Sequence, residues 1–327
     1  MTNSFKALQV QENEGSYETH LVEKNIDDLP EGDLLIKVSY SSLNYKDALS
    51  ASGNPGVTRN FPHTPGIDAV GEIVQANNSD FKEGDKVIVT GYDLGMNTSG
   101  GFSEYIRVPN HWALGLPPEL SEIDSMCLGT AGLTAGLSIY ALESFRGISG
   151  TNSVVTGATG GVGSISVMLL SKLGSEVTAV SGKKEKEGLI KSIGAKQVLS
   201  REELSEMTRQ PLGKTLWDIG VDVVSGEMLS LLLASLTPGG AVACSGLVGG
   251  PSFESSIFPF ILRGNALIGI DSVEIPLEQK ENIWKLFANE WGLSLQDTTK
   301  IVSLDEISDE ISTILKGEQV GRVVLKL

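Results

Sequence analysis

The chain has 327 residues, and 25 Lys and Arg against 41 Asp and Glu give it a formal net charge of −16. A surface this acidic repels the phosphates of nucleic acids and of anionic lipids, which argues against a function at either. The length predicts about two domains, and a hydrophobic fraction of 40% is too high for a disordered chain.

Cysteine content and hydropathy bear on the compartment. Cys127 and Cys244 are too few for a zinc ribbon or a disulfide framework, and we expect both to be reduced. Residues 1–10 lack an apolar segment of signal-peptide length. The chain also lacks an uninterrupted apolar run of about 18 residues, the length that spans a membrane. We therefore expect a soluble, cytoplasmic, two-domain protein.

Residues 1–122 are predicted to form a β-rich domain. Strand patterns cover residues 34–38, 69–74 and 86–89, and Gly and Pro separate them at short intervals. This spacing is typical of an all-β barrel or sandwich.

Residues 123–272 alternate between strand and helix patterns. Strands are predicted at 153–156, 176–180, 197–199, 220–224 and 241–245, with a turn at 237–240. Such alternation favours an α/β domain, a doubly wound parallel sheet with helices on both faces. The tail, 273–327, contains an amphipathic helix around 280–291 and a final strand pattern at 322–327. We expect this last strand to return to the first domain.

A glycine-rich turn lies between the strand at 153–156 and the helix after it. Its sequence, Ala158-Thr159-Gly160-Gly161-Val162-Gly163, is the dinucleotide fingerprint with Ala in the first Gly position. Gly160 lets the backbone approach a pyrophosphate, Gly163 lets helix and strand pack closely, and the helix N-terminus offers N–H groups to anionic oxygen. The turn predicts a dinucleotide site built on Thr159, Gly160, Gly161 and Val162. A turn that serves only packing is the alternative.

The end of the next strand indicates which nicotinamide cofactor is used. NAD sites usually place Asp or Glu about 20 residues after the fingerprint. Here the strand is followed by Ser181-Gly182-Lys183-Lys184, and the first carboxylate is Glu185. A hydroxyl group and two ammonium groups suit the 2′-phosphate of NADPH. The alternative is a solvated, basic start to the following helix. Arg201 is either a further phosphate ligand or a surface arginine beside two glutamates.

A polar segment follows the first strong strand of the β-rich domain. Asn44-Tyr45-Lys46-Asp47 occupies a junction between strand and helix, and Asp68 opens another strand. These side chains could converge on one cleft. Capping and turn formation by Asn and Asp is the alternative.

Nearly the full length resembles the medium-chain dehydrogenase/reductase superfamily, in which a GroES-like domain joins a Rossmann domain. The motifs that carry the resemblance are Gly84-Asp85-x-Val87, Gly100-Gly101-Phe102-Ser103-Glu104-Tyr105, Gly129-Thr130-Ala131-Gly132-Leu133-Thr134-Ala135 and the glycine turn. Within the superfamily the chain is similar to the YhdH/YhfP branch of quinone oxidoreductases and acrylyl-CoA reductases. The motifs for this branch are Ser42-Leu43-Asn44-Tyr45-Lys46-Asp47, Pro65-Gly66-Ile67-Asp68, Val180-Ser181-Gly182-Lys183, Pro259-Phe260-Ile261-Leu262-Arg263 and Gly269-Ile270-Asp271-Ser272-Val273.

The resemblance also draws attention to the absence of zinc ligands. Zinc alcohol dehydrogenases of this superfamily use Cys and His, and a catalytic zinc needs about three protein ligands. In this sequence no Cys precedes Cys127, and Asn44 occupies the position that resembles the first ligand. We therefore expect chemistry without a metal.

The resemblance implies an NADPH-dependent reductase that transfers hydride to the β carbon of a conjugated acceptor. An α,β-unsaturated thioester of the acrylyl-CoA type is the first expectation. A quinone or enone reductase is the alternative, and a non-enzymatic NADPH-binding sensor is a third hypothesis. Tyr45 is the candidate proton donor, although it could instead only pack against the nicotinamide. Asp68 could act in proton relay or be structural. The implied catalytic set is Asn44, Tyr45, Asp47 and Asp68.

Further cofactor contacts are implied by the resemblance alone. They are Tyr45, Thr130, Thr134, Leu247, Ile261, Ser272 and, more weakly, Arg322 near the cofactor phosphate. Residues 266–271 would form the sixth strand of the Rossmann sheet, which in this superfamily commonly pairs across a dimer two-fold axis. We therefore also expect a homodimer.

Overall fold

The computed structural model describes residues 4–207 and 210–327, and the chain forms two compact units. The first unit comprises Met1–Thr130 and Val273–Leu327, and the second comprises Ala131–Ser272. The first junction falls inside a helix, next to a break in the helix backbone at Gly129, whereas the sequence predicts a boundary at residue 122.

The strands, in chain order, are β1 (Ser4–Asn13), β2 (Ser16–Asn25), β3 (Leu34–Ser42), β4 (Asp68–Ala76), β5 (Lys86–Thr90), β6 (Tyr105–Val108), β7 (Ala113–Gly115), β8 (Asn152–Thr156), β9 (Glu176–Val180), β10 (Gln197–Leu199), β11 (Trp217–Asp222), β12 (Leu236–Cys244), β13 (Ala266–Gly269), β14 (Thr299–Val302) and β15 (Arg322–Lys326). The helices are α1 (Tyr45–Ala51), α2 (Glu122–Phe145), α3 (Gly161–Lys172), α4 (Glu187–Ser192), α5 (Arg201–Met207), α6 (Glu227–Ser235), α7 (Phe258–Arg263), α8 (Leu277–Leu286) and α9 (Ile307–Leu315).

The first unit is built on a sheet with the strand order β14-β15-β3-β4-β5-β7, and β6 also pairs with β3. Alternate residues of β3, namely Leu34, Ile36 and Val38, point into the core and pack against Ile73 and Val87. The last strand, β15, runs antiparallel to β3 and parallel to β14.

The sequence patterns did not predict the hairpin formed by β1 and β2. The two strands pair antiparallel over their full length, and Ala7 and Val10 of β1 are buried. Strand β2 is mostly polar and alternates between half-buried and exposed positions, so its extended form depends on pairing with β1.

The second unit is the predicted doubly wound domain. Its strands are all parallel and follow the order β10-β9-β8-β11-β12-β13, the third, second, first, fourth, fifth and sixth strands of the unit along the chain. This is the Rossmann order. Val154 of β8 and Val242 of β12 pack with Leu232 of α6 in the core.

Two predicted boundaries in this unit are wrong. The strand expected at 220–224 is β11, which ends at Asp222 because the Asp222 carboxylate accepts a hydrogen bond from the backbone N–H of Ser225 and turns the chain. The turn expected at 237–240 lies inside β12, where the pairing with β11 shifts register after Trp217 and Gly239 takes φ 72°.

Helix α2 is long and apolar enough to cross a membrane by length and composition, and 83% of its most apolar stretch is buried inside the protein. Such burial is typical of the core helix of a globular fold. In the tail, the predicted helix is observed as α8, followed by a π-helical turn at Phe287–Trp291.

Candidate active site

Asp68 is the centre of a buried polar cluster in the first unit. This residue opens β4 and is fully buried. Its Oδ2 atom accepts hydrogen bonds from Ser42 Oγ at 2.5 Å and Asn44 Nδ2 at 2.8 Å. Thr130 donates two more hydrogen bonds to Asp68: its backbone N–H donates to Oδ2 at 2.9 Å, and its hydroxyl donates to Oδ1 at 2.5 Å. Donors from β3, from the start of α1 and from α2 therefore fix one carboxylate.

Gly129 makes this arrangement possible. Its backbone has φ 52° and ψ −154°, a conformation outside the helical range and one that favours glycine. A Cβ atom at this position would collide with Ser42 Oγ and Asp68 Oδ2. The break presents the N–H and the hydroxyl of Thr130 to Asp68.

Asp47 is the second buried carboxyl group of the cluster. It accepts backbone N–H hydrogen bonds from Asn44 at 2.7 Å, Ile67 at 2.8 Å and Gly66 at 3.1 Å. Burial, with the negative charge of Asp68 adding to it, raises the pKa of Asp47 to about 7. The cluster therefore contains a carboxyl group that changes protonation near neutral pH and is bonded to Asn44.

The structure brings three of the four predicted catalytic residues into this cluster. Asn44 immediately precedes α1, and its side-chain nitrogen Nδ2 donates to Ser42 O at 3.2 Å as well as to Asp68. Tyr45 is the next residue, at the first position of α1, and 39% of its surface is exposed. Pairing of β3 with β4 brings Asn44 and Asp68 together.

Ser42 and Gly129 are not among the predicted site residues. Both lie inside sequence motifs given above, Ser42 two residues before Asn44 and Gly129 immediately before Thr130. The only available signal was this proximity, because the contacts join residues 26 and 62 positions apart in the chain.

Thr130 and Arg322 belong to the same cluster. Thr130 donates both hydrogen bonds to Asp68. Arg322 is 2% exposed, and its guanidinium donates from Nε to Cys127 O at 3.0 Å and from Nη1 to Leu43 O at 3.2 Å. Both residues are thus bonded within the first unit, and the cofactor contacts that the resemblance implies for them stay predictions.

In the second unit, the glycine turn joins β8 to α3 as predicted. Gly157 has a φ of 60°, and Gly160 occupies the N-cap position of α3. A Cβ atom at Gly163 would collide with the carbonyl oxygen of Gly157, so only glycine allows the helix to pack this close. Thr159, Gly160, Gly161 and Val162 thus surround the N-terminus of α3, where backbone N–H groups can bind an anion.

Polar groups gather at the carboxyl end of β9. The hydroxyl of Ser181 accepts the backbone N–H of Lys183 at 3.0 Å. The guanidinium of Arg201, the first residue of α5, lies against Gly182, where an added Cβ would be 3.3 Å from its Cζ. Lys184 is directed differently, since its Nζ lies 3.7 Å from Glu203 Oε1. The structure therefore groups Ser181, Gly182, Lys183 and Arg201.

The remaining predicted cofactor residues of this unit fall into two kinds. Thr134 and Ser272 are buried and joined by a hydrogen bond of 2.7 Å between their hydroxyl oxygens. Leu247 and Ile261 are exposed apolar side chains, at 59% and 66%.

Comparison with known proteins gives matches over the full length. Residues 30–118 match the alcohol dehydrogenase GroES-like domain, and residues 161–289 match the zinc-binding dehydrogenase domain. The chain is 41% identical to YhfP of Bacillus subtilis, which is named as a quinone oxidoreductase, over 100% of both chains. It is 38% identical to acrylyl-CoA reductase AcuI of Ruegeria pomeroyi over 98% of both.

Solved structures agree with these relatives. The crystal structure of YhfP with NAD bound superposes with a TM-score of 0.96, at 40% identity and 100% coverage of both chains. The Salmonella enterica yhdH oxidoreductase in complex with NADP gives a TM-score of 0.95 at 38% identity, covering 98% of this chain and 99% of the other. The expected combination of a GroES-like and a Rossmann domain is confirmed.

The Asp68 cluster does not fit the zinc ion that the domain name implies. The oxygens of Asp68 are occupied by donors from Ser42, Asn44 and Thr130, and the nitrogen of the Asn44 amide is itself a donor. Zinc in proteins is held mainly by thiolate, imidazole and carboxylate groups. Within residues 4–207 and 210–327, no group of three or more His, Cys, Asp and Glu side chains is placed to hold a metal ion.

Two structural features carry the assignment together with these relatives. The first is the Asp68 cluster in a GroES-like unit, and the second is the glycine turn in a Rossmann unit. Full-length identity of 38–41% leaves no part of the chain outside the comparison. The chain belongs to the medium-chain dehydrogenase/reductase superfamily, in the branch that contains YhfP and AcuI.

Proposed function

We propose that this protein is an oxidoreductase that uses NADPH to reduce an activated C=C bond. The substrate that we propose is an α,β-unsaturated acyl-CoA thioester of the acrylyl-CoA type. The observation that carries the proposal is the 38% identity to acrylyl-CoA reductase AcuI over 98% of both chains.

The choice of NADPH rests on the end of β9. The hydroxyl of Ser181 accepts the N–H of Lys183, and the guanidinium of Arg201 lies against Gly182. These groups follow the strand after whose end Rossmann domains bind the ribose, and hydroxyl and cationic groups there support a 2′-phosphate ligand. The yhdH relative was crystallised with NADP, whereas YhfP was crystallised with NAD. NADH is therefore the necessary comparison in any assay.

The nicotinamide, when bound, supplies the hydride that adds to the β carbon of the acceptor. Negative charge then develops on the carbonyl oxygen, and each well-placed donor to such an oxygen is worth about 3 kcal/mol. Asp68 and Ser42 O hold the amide of Asn44 in one orientation, which restricts how that side chain can meet a ligand. We assign to Tyr45 the delivery of a proton to the α carbon, because its phenol is partly exposed beside Asn44.

The test is the loss of NADPH absorbance with acrylyl-CoA, with a panel of small quinones and enones, and with NADH as the control cofactor. Rapid turnover of acrylyl-CoA with NADPH is the expected result. Turnover of quinones alone would contradict the thioester proposal.

A quinone or enone reductase is the second candidate. The observation that favours it is the 41% identity to YhfP, which carries a quinone oxidoreductase name. Tight NADPH binding without turnover of any activated alkene or quinone would contradict both candidates and favour a sensor.

We further propose a homodimer formed through β13. This strand lies at one edge of the parallel sheet, and nearby α7 exposes Ile261 and Leu262. An open strand edge beside exposed apolar side chains suits a second copy of the chain. Sedimentation equilibrium should give a dimer, and Leu262→Glu should shift it to monomer. Leu315→Glu, at an exposed leucine of the first unit, is the control and should leave the dimer intact.

A further inference from the structure

Arg322 is an unusual residue for the interior of a sheet. It opens β15 and is 2% exposed, yet its hydrogen bonds go to the carbonyl oxygens of Cys127 and Leu43. Its Nη2 atom is buried and has no hydrogen-bond partner among residues 4–207 and 210–327. Burying a guanidinium is costly unless its charge is balanced and its donors are used. The cost implies a role beyond packing.

The two carbonyl groups lie on the segments that supply the donors to Asp68. Leu43 sits between Ser42 and Asn44, and Cys127 is followed closely by Gly129 and Thr130. One guanidinium therefore ties together chain segments that are 279 and 195 residues from it in sequence. Movement of either segment would displace a donor to Asp68.

The charge of Arg322 also faces the buried acids. Asp68 of β4 and Asp47 of α1 are its charged neighbours, and the thiol of Cys127 in α2 is the other titratable one. Burial lowers the pKa of Arg322, and these neighbours act in the opposite direction.

We propose that Arg322 is a positioning residue of the reductase site. It holds the two donor segments around Asp68 and presents its positive charge to the Asp68 and Asp47 carboxyl groups, so that Asp68 can orient the Asn44 amide. This role rests on the proposed reductase function.

The test is the pH dependence of kcat/KM for Arg322→Met, Arg322→Lys and the wild-type protein. Loss of an adjacent positive charge raises a carboxyl pKa by about one unit or more. In Arg322→Met the acidic limb of the kcat/KM–pH profile should therefore move to higher pH by about one unit. In Arg322→Lys, which keeps the charge and loses part of the clamp, kcat should fall while the limb stays near its wild-type position.

Arg263→Met is the matched control. Arg263 likewise donates to backbone carbonyls, those of Ala234, Leu236 and Gly213, but it does so in the second unit. Its loss should lower stability and leave the acidic limb unmoved. An unmoved limb in folded Arg322→Met, or an equal movement in Arg263→Met, would overturn the proposal.

A second pair of variants covers the case in which Arg322→Met does not fold. The single variant Asp68→Asn is compared with the double variant Asp68→Asn/Arg322→Met, which removes a buried carboxyl group and the buried guanidinium together. If Arg322 acts through Asp68, adding Arg322→Met to Asp68→Asn should change kcat/KM by less than about threefold. Losses that multiply independently would contradict the role.

Carboxyl ¹³C titration by NMR provides a readout that needs no turnover. The Asp47 resonance should titrate at higher pH in Arg322→Met than in the wild-type protein, and near the wild-type pH in Arg322→Lys, which keeps the charge. Absence of turnover in the wild-type protein would count against the proposed function. An unmoved titration in Arg322→Met would count against Arg322.

Discussion

Thr130 directs both its backbone N–H and its hydroxyl at Asp68, at 2.9 and 2.5 Å, across 62 residues of chain. The contact depends on the break in α2 at Gly129, which turns the N–H of Thr130 out of the helical hydrogen-bond pattern. Helix α2 therefore contributes to the polar cluster through its backbone as well as through a side chain.

Gly129→Ala tests the break. The substitution places a methyl group against Ser42 and Asp68 at a positive φ, so we expect a loss of about 3 kcal/mol or more in the free energy of unfolding. Gly147→Ala is the control, since Gly147 also has a positive φ, 86°, but has open space around it. Urea denaturation of both variants measures the difference. Equal losses would mean that the close approach to Asp68 contributes nothing.

Asp47→Asn tests the buried carboxyl group. With a pKa of about 7 when folded against an ordinary value of 3.8, Asp47 binds an extra proton in the folded state between these pH values. The stability of the wild-type protein should therefore fall as pH rises from about 4 to 7, by at most about 1.4 kcal/mol per pH unit from this group. Asp47→Asn should lack that component. Urea denaturation across this range gives the comparison, and parallel curves would contradict the shifted pKa.

Lys183→Glu tests the preference for NADPH. Reversing the charge beside a 2′-phosphate should weaken NADPH binding by at least about tenfold more than NADH binding. Lys184→Glu is the control, because Lys184 is exposed and paired with Glu203, and it should discriminate less. Fluorescence titration with each cofactor measures the ratio. Equal losses for NADPH and NADH in Lys183→Glu would remove Lys183 from the phosphate site.

Tyr45→Phe tests the proton donor. Loss of a general acid typically costs about 100-fold or more in rate, so kcat should fall by about that factor with little change in NADPH affinity. Tyr140→Phe, at an exposed tyrosine of α2, is the control and should turn over normally. A Tyr45→Phe protein with wild-type kcat would show that the proton comes from another group or from water.

Metal independence follows from the donors around Asp68. Since Asn44 donates to Asp68 in the position that resembles a zinc ligand, we expect neither added zinc nor a chelator to change the rate. The assay is repeated after dialysis against a chelator and after addition of zinc. A rate that falls with the chelator and recovers with zinc would contradict this reading of the cluster.

Local patterns in the sequence were sufficient for the Rossmann unit and its glycine turn. Strand and helix periodicities are short-range. The contact that requires a glycine at Gly163 is also local, because it is made with the carbonyl oxygen of Gly157 in the same turn. The polar group at the end of β9 could be named from the sequence for the same reason, since Ser181 and Lys183 are only two residues apart in the chain.

Long-range contacts decided the rest. Strand β2 is extended because it pairs with β1, and β11 ends where Asp222 captures the N–H of Ser225. Asn44 and Asp68 could be named as candidates from the sequence, but their contact, and the addition of Thr130 and Arg322, depend on segments that meet only when the first unit folds. Periodicity and spacing are local properties, whereas a buried carboxylate is satisfied by whichever donors the tertiary fold brings to it.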